Sequence, residues 1–276
     1  MTLCMAAICG GDDNQAAVVA ADRMVTLGGF IEFEHTVSKM AYPTKYAVAM
    51  IAGDSLLGTR LARSVAAEFI GASPGVGVIA ERLASRYLEM RRSELEHQIL
   101  NPRGLDLPSF YGAHQGLNPQ VTMMLDQQMA NFNLGIELLV AGVDGEGAHI
   151  FSVDNPGQPE HQHDVIGYGA IGSGGIHALQ AMIAFRHSPA TQLRETIFQV
   201  YAAKRRAEVA PGVGLDTDMA IIVEGGIRFL DDDTLAKLKE LYDNHGRSSE
   251  RALVNELEKL QLDEDGSERD TRGEVV

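Results

Sequence analysis

The chain has 276 residues, of which 45% are hydrophobic and 22% are charged, so it can bury a substantial core as one large domain or two small ones, and we favour one domain with a tail. Its formal net charge of −15 argues against a protein that binds nucleic acid or an anionic membrane surface. The sequence shows neither the charged first region of a signal peptide nor an apolar run long enough to cross a bilayer, so we expect a cytoplasmic protein.

The first part of the chain predicts two antiparallel hairpins of local strands. Apolar runs and alternation of apolar and polar residues predict four strands: 3–9, 15–21, 30–36 and 46–52. Turn residues lie at Gly10–Asn14 and at Tyr42–Lys45, and Lys39 is predicted to lie within a strand. Cys4 and Cys9 should point to opposite faces of the first strand, where they cannot bridge, which fits a reducing compartment.

Helices are predicted in the middle of the chain. Ser55 is a predicted N-cap for a helix over 56–70, and a longer amphipathic helix is predicted over 78–100. Residues 101–133 are rich in Gly and Pro and contain several methionines. They predict an irregular insertion that is a candidate lid or contact surface.

Strands and helices alternate in the rest of the chain. The predicted strands are 136–142, 148–154, 163–168, 218–223 and 227–230. Helices are predicted from Ser173 or Gly174 to 185, from 190 to 209 after Ser188-Pro189, over 234–242 and over 250–260. From Asp263 the chain is polar and shows no periodicity, so it is predicted to be disordered.

The order of these elements predicts an α+β fold. Hairpins, two helices, strands, two helices and a last hairpin favour an αββα four-layer sandwich, with two antiparallel sheets between helix layers. We expect one domain over residues 1–242, with the insertion at 101–133. Residues 243–276 form a charged C-terminal extension, predicted to be helical and then disordered.

Thr2 is a candidate nucleophile. Removal of the initiator Met would leave a threonine with a free α-amine, and an amine with a pKa of about 8 can act as the base for its own weakly nucleophilic hydroxyl. The alternative is an ordinary mobile terminal residue. Because the chain enters a buried strand directly after Thr2, we expect its position to be well defined.

Asp22 and Lys39 follow Thr2 at spacings that can bring both beneath the N-terminus. Asp22 comes directly after the second predicted strand, and a buried lysine such as Lys39 is costly unless it is paired. The alternative is an ordinary ion pair beside a sheet. A paired lysine close to the Thr2 hydroxyl would lower the pKa of that hydroxyl and stabilise negative charge.

Three short segments resemble the proteasome β-subunit superfamily of N-terminal nucleophile hydrolases, which includes the bacterial HslV peptidase and the Anbu proteins. These segments are Ala20–Gly28, Ser38–Met40 and Ala52–Asp54. The resemblance implies that Asp22 is a structural acid, that Lys39 is the catalytic lysine and that the Gly53 N–H forms the oxyanion hole. Lys45 is a rival for Lys39, but it lies in a predicted turn, where we expect it to be solvated.

The resemblance extends closely over residues 2–70 and loosely over 136–230. It implies that Ser173 hydrogen-bonds the terminal amine, although a serine there could also cap a helix. After its fourth helix the family has an acid and a serine near the amine. This chain has no serine there, and it leaves Glu208 and Asp216 open as the supporting acid.

The resemblance also implies a substrate pocket beside Thr2. The family lines it from three places, which in this chain hold Val25, Val37 and Ile51. None of these side chains is charged, so the pocket should prefer apolar side chains on the acyl side of the cut bond.

Two other motifs are given ordinary interpretations. Residues 167–172 match the glycine spacing of a dinucleotide-binding loop, but no parallel strand–helix–strand unit or suitably placed acid follows. His161 and His163 could face one side of a strand, but no third metal ligand lies close by except Asp164, so a solvated edge is expected. We therefore expect no cofactor and no metal.

The leading hypothesis is an N-terminal threonine peptidase of proteasome type. It would assemble with itself into a closed homo-oligomeric ring and cut peptides or unfolded proteins. The alternatives are a catalytically inactive ring or scaffold subunit of the same fold, and an amidohydrolase that cuts small amides. The size of the ring and the existence of an ATPase unfoldase partner are left open.

Overall fold

A computed structural model describes residues 2–11, 15–27, 31–36, 38–113, 116–160 and 163–257. The contacts within the chain divide it into two units, residues 1–230 and residues 231–276. The first unit is a mixed α/β structure with antiparallel sheets, and the second contains one long helix.

The described strands are, in chain order, β1 (Cys4–Cys9), β2 (Ala16–Asp22), β3 (Met24–Leu27), β4 (Ile31–Glu34), β5 (Met40–Thr44), β6 (Ala47–Gly53), β7 (Ile136–Asp144), β8 (Gly147–Asp154), β9 (Gln158–Glu160), β10 (Tyr168–Ile171), β11 (Thr217–Val223) and β12 (Gly226–Phe229). One five-stranded sheet has the order β10-β1-β2-β11-β12, and a second has the order β5-β6-β7-β8-β9. β3 and β4 form a separate two-stranded ribbon. The strand pairs are antiparallel, as predicted.

The described helices are α1 (Ser55–Glu68), α2 (Val76–Leu95), α3 (Leu107–Ala113), α4 (Pro119–Ala130), α5 (His163–Ile166), α6 (Gly175–Ala184), α7 (Leu193–Ala207) and α8 (Asp232–Leu257). A π-helical turn, Glu96–Leu100, and a 3₁₀ turn, Asn101–Arg103, continue α2. None of the helices in the described part of the chain is both long and apolar enough to cross a membrane.

The two five-stranded sheets share a buried apolar cluster. One face of the first sheet contributes residues such as Ala6 and Val19, and the second sheet contributes Met50, Leu139 and Ile150. Every residue of β1 and β2 is buried, because both faces of these two strands are covered. This explains why their sequences are continuous apolar runs without alternation.

Helices cover the other faces of both sheets. A second cluster joins the alternate residues of β6 and β7, among them Ala49 and Val140, to Leu61 of α1 and to Leu83 of α2. On the first sheet, α6 contacts β10 while α7 contacts β1 and β2. The arrangement is compatible with the sandwich of an N-terminal nucleophile hydrolase.

The prediction of two local hairpins needs correction after Asp22. The β1–β2 hairpin is confirmed, but the alternating segment forms β4 and pairs with β3, so it does not pair with β6. Met40 begins β5, which runs through the predicted turn residues to Thr44. Lys39 therefore lies in a bend directly before a strand and not inside one.

Several helix boundaries also differ from the predictions. Asp54, not Ser55, caps α1, because its carboxylate accepts hydrogen bonds from the Leu56 and Leu57 N–H groups. α7 begins at Leu193, after the turn that contains Pro189, and so it starts later than predicted. The two charged C-terminal helices are one continuous helix, α8, and the predicted disorder beyond Asp263 lies outside the described residues.

The insertion at 101–133 is more regular than predicted. It contains α3 and α4, which pack around a small core of their own formed by Leu95, Leu100, Phe110, Leu125 and Met129. Of these, only Leu125 and Met129 are at helical spacing within the insertion, and the surrounding glycines and prolines led to the irregular prediction.

The predicted strand over 163–168 is wrong for most of its length. His163 lies in the short helix α5, and the strand β10 begins only at Tyr168. The His163 Nε2 atom lies 3.1 Å from the Ser152 hydroxyl. The predicted pair with His161 cannot be assessed, since that residue lies outside the described ones.

Candidate active site

The strand order of the first sheet places three distant chain segments around Thr2. Thr2 lies two residues before Cys4, the first residue of β1, which pairs with Ala21 of β2 and with Ile171 of β10. The segment after β10 therefore lies beside Thr2. Thr217, the first residue of β11, pairs with Asp22, so the segment before β11 also reaches this edge.

Asp22 is the centre of the hydrogen-bond network. It ends β2, and it is completely buried. Its Oδ1 accepts hydrogen bonds from Thr2 Oγ1 (2.5 Å), the Leu3 N–H (2.7 Å) and Lys39 Nζ (2.8 Å), and its Oδ2 accepts from the Met24 N–H (2.9 Å) and the Gly214 N–H (3.0 Å).

These donors keep the carboxylate of Asp22 ionised. Burial by itself would raise the pKa of Asp22. The charge of Lys39 and the hydrogen bonds from Lys39, Thr2 and Leu3 outweigh burial and hold the pKa below its ordinary value. Asp22 is therefore a fixed negative charge at neutral pH that can hold a lysine.

Lys39 joins Asp22 to the hydroxyl of Thr2. Its Nζ donates hydrogen bonds both to Thr2 Oγ1 and to Asp22 Oδ1, and its side chain is 13% exposed. The Lys39 carbonyl accepts a hydrogen bond from the Ile51 N–H at 3.1 Å, which ties this bend to β6. The Thr2 hydroxyl is thus held between a carboxylate and an ammonium group.

Gly53 ends β6 with a backbone conformation that excludes side chains. Its φ is +88°, and a Cβ atom there would overlap the carbonyl oxygen of Gly135. Successive N–H groups of a strand point to opposite sides, so the Gly53 N–H points to the same side as that of Ile51. That is the side on which Ile51 binds the Lys39 carbonyl.

The requirement for glycine at position 53 predicts a large loss of stability on substitution. We expect Gly53→Ala to lower the free energy of unfolding by roughly 2–5 kcal/mol, from the positive φ and from overpacking against Gly135. Gly135→Ala is the matched control, because Gly135 has a φ of +68° but open space around a Cβ. Urea unfolding that gives equal losses for both variants would contradict the overlap.

Ser173 lies at the nitrogen of Thr2. Its Oγ accepts a hydrogen bond from the Thr2 nitrogen at 3.1 Å, and it lies 3.2 Å from the Pro211 carbonyl oxygen. The Thr2 carbonyl in turn accepts a hydrogen bond from the Gly174 N–H at 3.1 Å. Ser173 does not cap α6 through its side chain, since Gly174 occupies the N-cap position without a side-chain bond.

Of the two acids left open as supports of the amine, Glu208 has other side-chain partners. The Glu208 carboxylate accepts hydrogen bonds from Lys204 Nζ (2.6 Å) and from Arg205 (2.9 Å). Asp216 is exposed, and its N–H donates to Glu34. The site's surroundings also include Lys204, Glu34 and the backbone of the segment before β11. Sequence reasoning missed them because both side chains bind backbone groups, which leave no motif in a sequence.

The three predicted pocket residues have different environments. Val25 lies on β3 and is half-buried. Ile51 is 6% exposed, belongs to the cluster beneath α1 and α2, and leaves no space for a Cβ at Gly58. Val37 lies outside the described residues. Of the two described residues, only Val25 has substantial exposed surface.

In the described ranges, no group of three or more His, Cys, Asp or Glu side chains is arranged to hold a metal ion.

No family model matches the chain. A comparison with curated proteins finds the protein named proteasome subunit beta 1 of Korarchaeum cryptofilum (strain OPF8), which is 28% identical over 230 residues. That similarity covers 82% of this chain and 91% of the archaeal protein, and it supports a distant relationship to proteasome β subunits.

Proposed function

We propose that the protein is an N-terminal threonine hydrolase, a proteasome-like endopeptidase with Thr2 as its nucleophile and an αββα four-layer sandwich as its fold. The observation that carries the proposal is the Thr2 hydroxyl held between Asp22 and Lys39, with Ser173 at the Thr2 nitrogen. The similarity to a proteasome β subunit supports the same reaction class.

The proposed mechanism begins when removal of Met1 frees the Thr2 amine. The amine accepts the proton of the Thr2 hydroxyl while the hydroxyl oxygen, Oγ1, attacks the substrate carbonyl carbon. The Gly53 N–H binds the oxyanion, and Lys39 stabilises the negative charge on the threonine oxygen. The amine then passes its proton to the leaving amine, and an ester remains on Thr2. Water, deprotonated by the same amine, hydrolyses this ester and restores the hydroxyl.

The alternative of an inactive ring or scaffold subunit is favoured by one observation, namely that Glu208 is bound by Lys204 and Arg205. N-terminal mass spectrometry separates the two functions. If Met1 is retained, the Thr2 nitrogen stays in a peptide bond and cannot act as the base. A small-amide amidohydrolase remains the third candidate and is distinguished by its failure to cut peptides.

The proposed pocket predicts a preference for apolar substrates. A charged side chain buried beside Val25 and Ile51 would lack a partner, whereas an apolar one gains about 25 cal/mol per Å² that it buries. Fluorogenic peptides that differ only in the residue on the acyl side of the cut bond should be cleaved faster after Leu, Phe or Tyr than after Arg, Lys, Asp or Glu. Preferred cleavage after Arg or Glu would rule out this pocket.

We propose that the chain assembles with itself into a closed ring in the cytoplasm, which would restrict the active site to peptides and unfolded proteins. Met123 and Met124 on α4 and Val78 and Leu88 on α2 are exposed, and such apolar surface favours association. Analytical ultracentrifugation should show an oligomer at micromolar concentration. A monomer there would exclude the ring.

A further inference from the structure

The loop between α7 and β11, residues 208–216, contacts two of the side chains that hold Thr2, namely Asp22 and Ser173. The Gly214 N–H donates to Asp22 Oδ2 at 3.0 Å, and the Pro211 carbonyl lies 3.2 Å from the Ser173 hydroxyl. Both contacts are made by the backbone of this loop. The position of the backbone therefore sets the orientation of the Asp22 carboxylate and of the Ser173 hydroxyl.

Lys204 holds this loop from inside the protein. Its side chain, on α7, is fully buried, and its Nζ donates to the Gly214 carbonyl (2.8 Å), the Leu215 carbonyl (2.7 Å) and Glu208 Oε1 (2.6 Å). These three acceptors satisfy all three protons of the ammonium group. Burial lowers the pKa of Lys204, and the hydrogen bond and charge of Glu208 oppose that effect.

Glu34 holds the same loop from outside. Its Oε1 accepts hydrogen bonds from the Leu215 N–H at 2.5 Å and from the Asp216 N–H at 3.2 Å. The loop backbone thus donates to a carboxylate on one side and accepts from an ammonium group on the other. A buried charge is expensive unless it is fully paired, and the pairing of Lys204 depends on two carbonyl groups of this loop being in place.

We propose that Lys204 is a positioning residue that fixes the loop before β11 and thereby orients Asp22 and Ser173 toward Thr2. This inference rests on the proposed function. Lys204 would do through backbone groups what the acid and serine expected in this loop do in the proteasome-like family. The residue itself touches neither Thr2 nor a substrate.

The test compares Lys204→Met with Arg205→Met in the full-length protein. Arg205 donates to the same Glu208 oxygen, but its bonds do not reach the loop carbonyls, so Arg205→Met is the matched control. We expect the amides of Gly214 and Leu215 to exchange hydrogen at least about tenfold faster in Lys204→Met. We also expect kcat for a peptide substrate to fall by at least about tenfold with KM within twofold, and Arg205→Met to change neither quantity by more than twofold.

A double variant guards against loss of folding. Lys204→Met combined with Glu208→Gln removes the fully buried cation together with its counter-charge. Arg205 also loses its bond to a carboxylate in this variant, but its side chain is partly exposed to solvent. The double variant should show the same faster exchange and the same fall in kcat. Wild-type exchange at Gly214 in either folded variant would overturn the inference, and so would faster exchange with an unchanged kcat.

Failure of the proposed function would be recognised separately. If the wild-type protein with a verified Thr2 terminus cuts no peptide, the proposed function is wrong. The Gly214 amide, which bonds Asp22, then decides the positioning role alone. Exchange that is faster in Lys204→Met than in Arg205→Met supports it, and equal exchange overturns it.

Discussion

Replacement of Thr2 by alanine is expected to abolish peptide hydrolysis while the protein stays folded. The change removes the hydroxyl that Asp22 and Lys39 hold, and with it the proposed nucleophile. We expect the rate to fall by at least about 10³-fold, because no other group at this position can form the ester. Asp22 keeps its other donors, among them Leu3 and Lys39, so the fold should persist.

Thr2→Ser is the matched control, since it preserves a hydroxyl and an α-amine. It should retain measurable hydrolysis of a fluorogenic peptide once mass spectrometry shows that Met1 has been removed. Circular dichroism should show the same helix and strand content in both variants and in the wild type. Hydrolysis that survives Thr2→Ala in a preparation free of other peptidases would exclude Thr2 as the nucleophile.

Lys39→Met is expected to lower the rate of hydrolysis by about 10²–10³, equivalent to about 2–4 kcal/mol of barrier. The Lys39 ammonium group contacts both Thr2 Oγ1 and Asp22 Oδ1, so its loss removes the charge that stabilises a negative threonine oxygen. It also removes the cation that opposes the effect of burial on the pKa of Asp22. Steady-state kinetics with the same peptide measures the change.

Lys45→Met is the matched control, because it removes the same charge from a lysine at the other end of β5. Lys45 lies exposed in the turn after β5, with its Nζ 4.8 Å from the centre of the Tyr46 ring. Its replacement should change kcat/KM by less than about twofold, as surface substitutions away from special features usually do. Equal losses for the two lysine variants would show that the effect is one of overall charge, with no specific role for Lys39.

A fold prediction from the sequence was correct where the strands that pair are neighbours in the chain and each has a clear apolar pattern. The β1–β2 hairpin could be predicted because two apolar runs flank a short turn. The β3–β4 ribbon was missed, because Met24–Leu27 lacks a pattern that distinguishes pairing with Ile31–Glu34 from continuation of β2. An incorrect partner for β4 then placed Lys39 inside a strand, although it lies in the bend before β5.

Side chains with a distinctive chemistry could be proposed as site residues from the sequence and its resemblance alone. A threonine at position 2, an acid at the end of a strand, a lysine in the Ser38–Met40 segment, and a glycine and a serine that each come before a helix belong to segments with a recognisable pattern. That is how Thr2, Asp22, Lys39, Gly53 and Ser173 became candidates. Their proposed roles still await the variants described above.

The tertiary structure alone decided which backbone groups surround these residues. The resemblance had implied that Ser173 lies at the Thr2 nitrogen, but it gave no role to the Gly214 N–H, which donates to Asp22 across 192 positions, or to the Pro211 carbonyl, 3.2 Å from the Ser173 hydroxyl. These groups reach the site because β11 lies beside β2 in one sheet. The groups that make these contacts include backbone N–H and C=O groups, which every residue except proline carries alike. A local sequence pattern cannot single them out, and only the order of strands in the sheet brings them to the site.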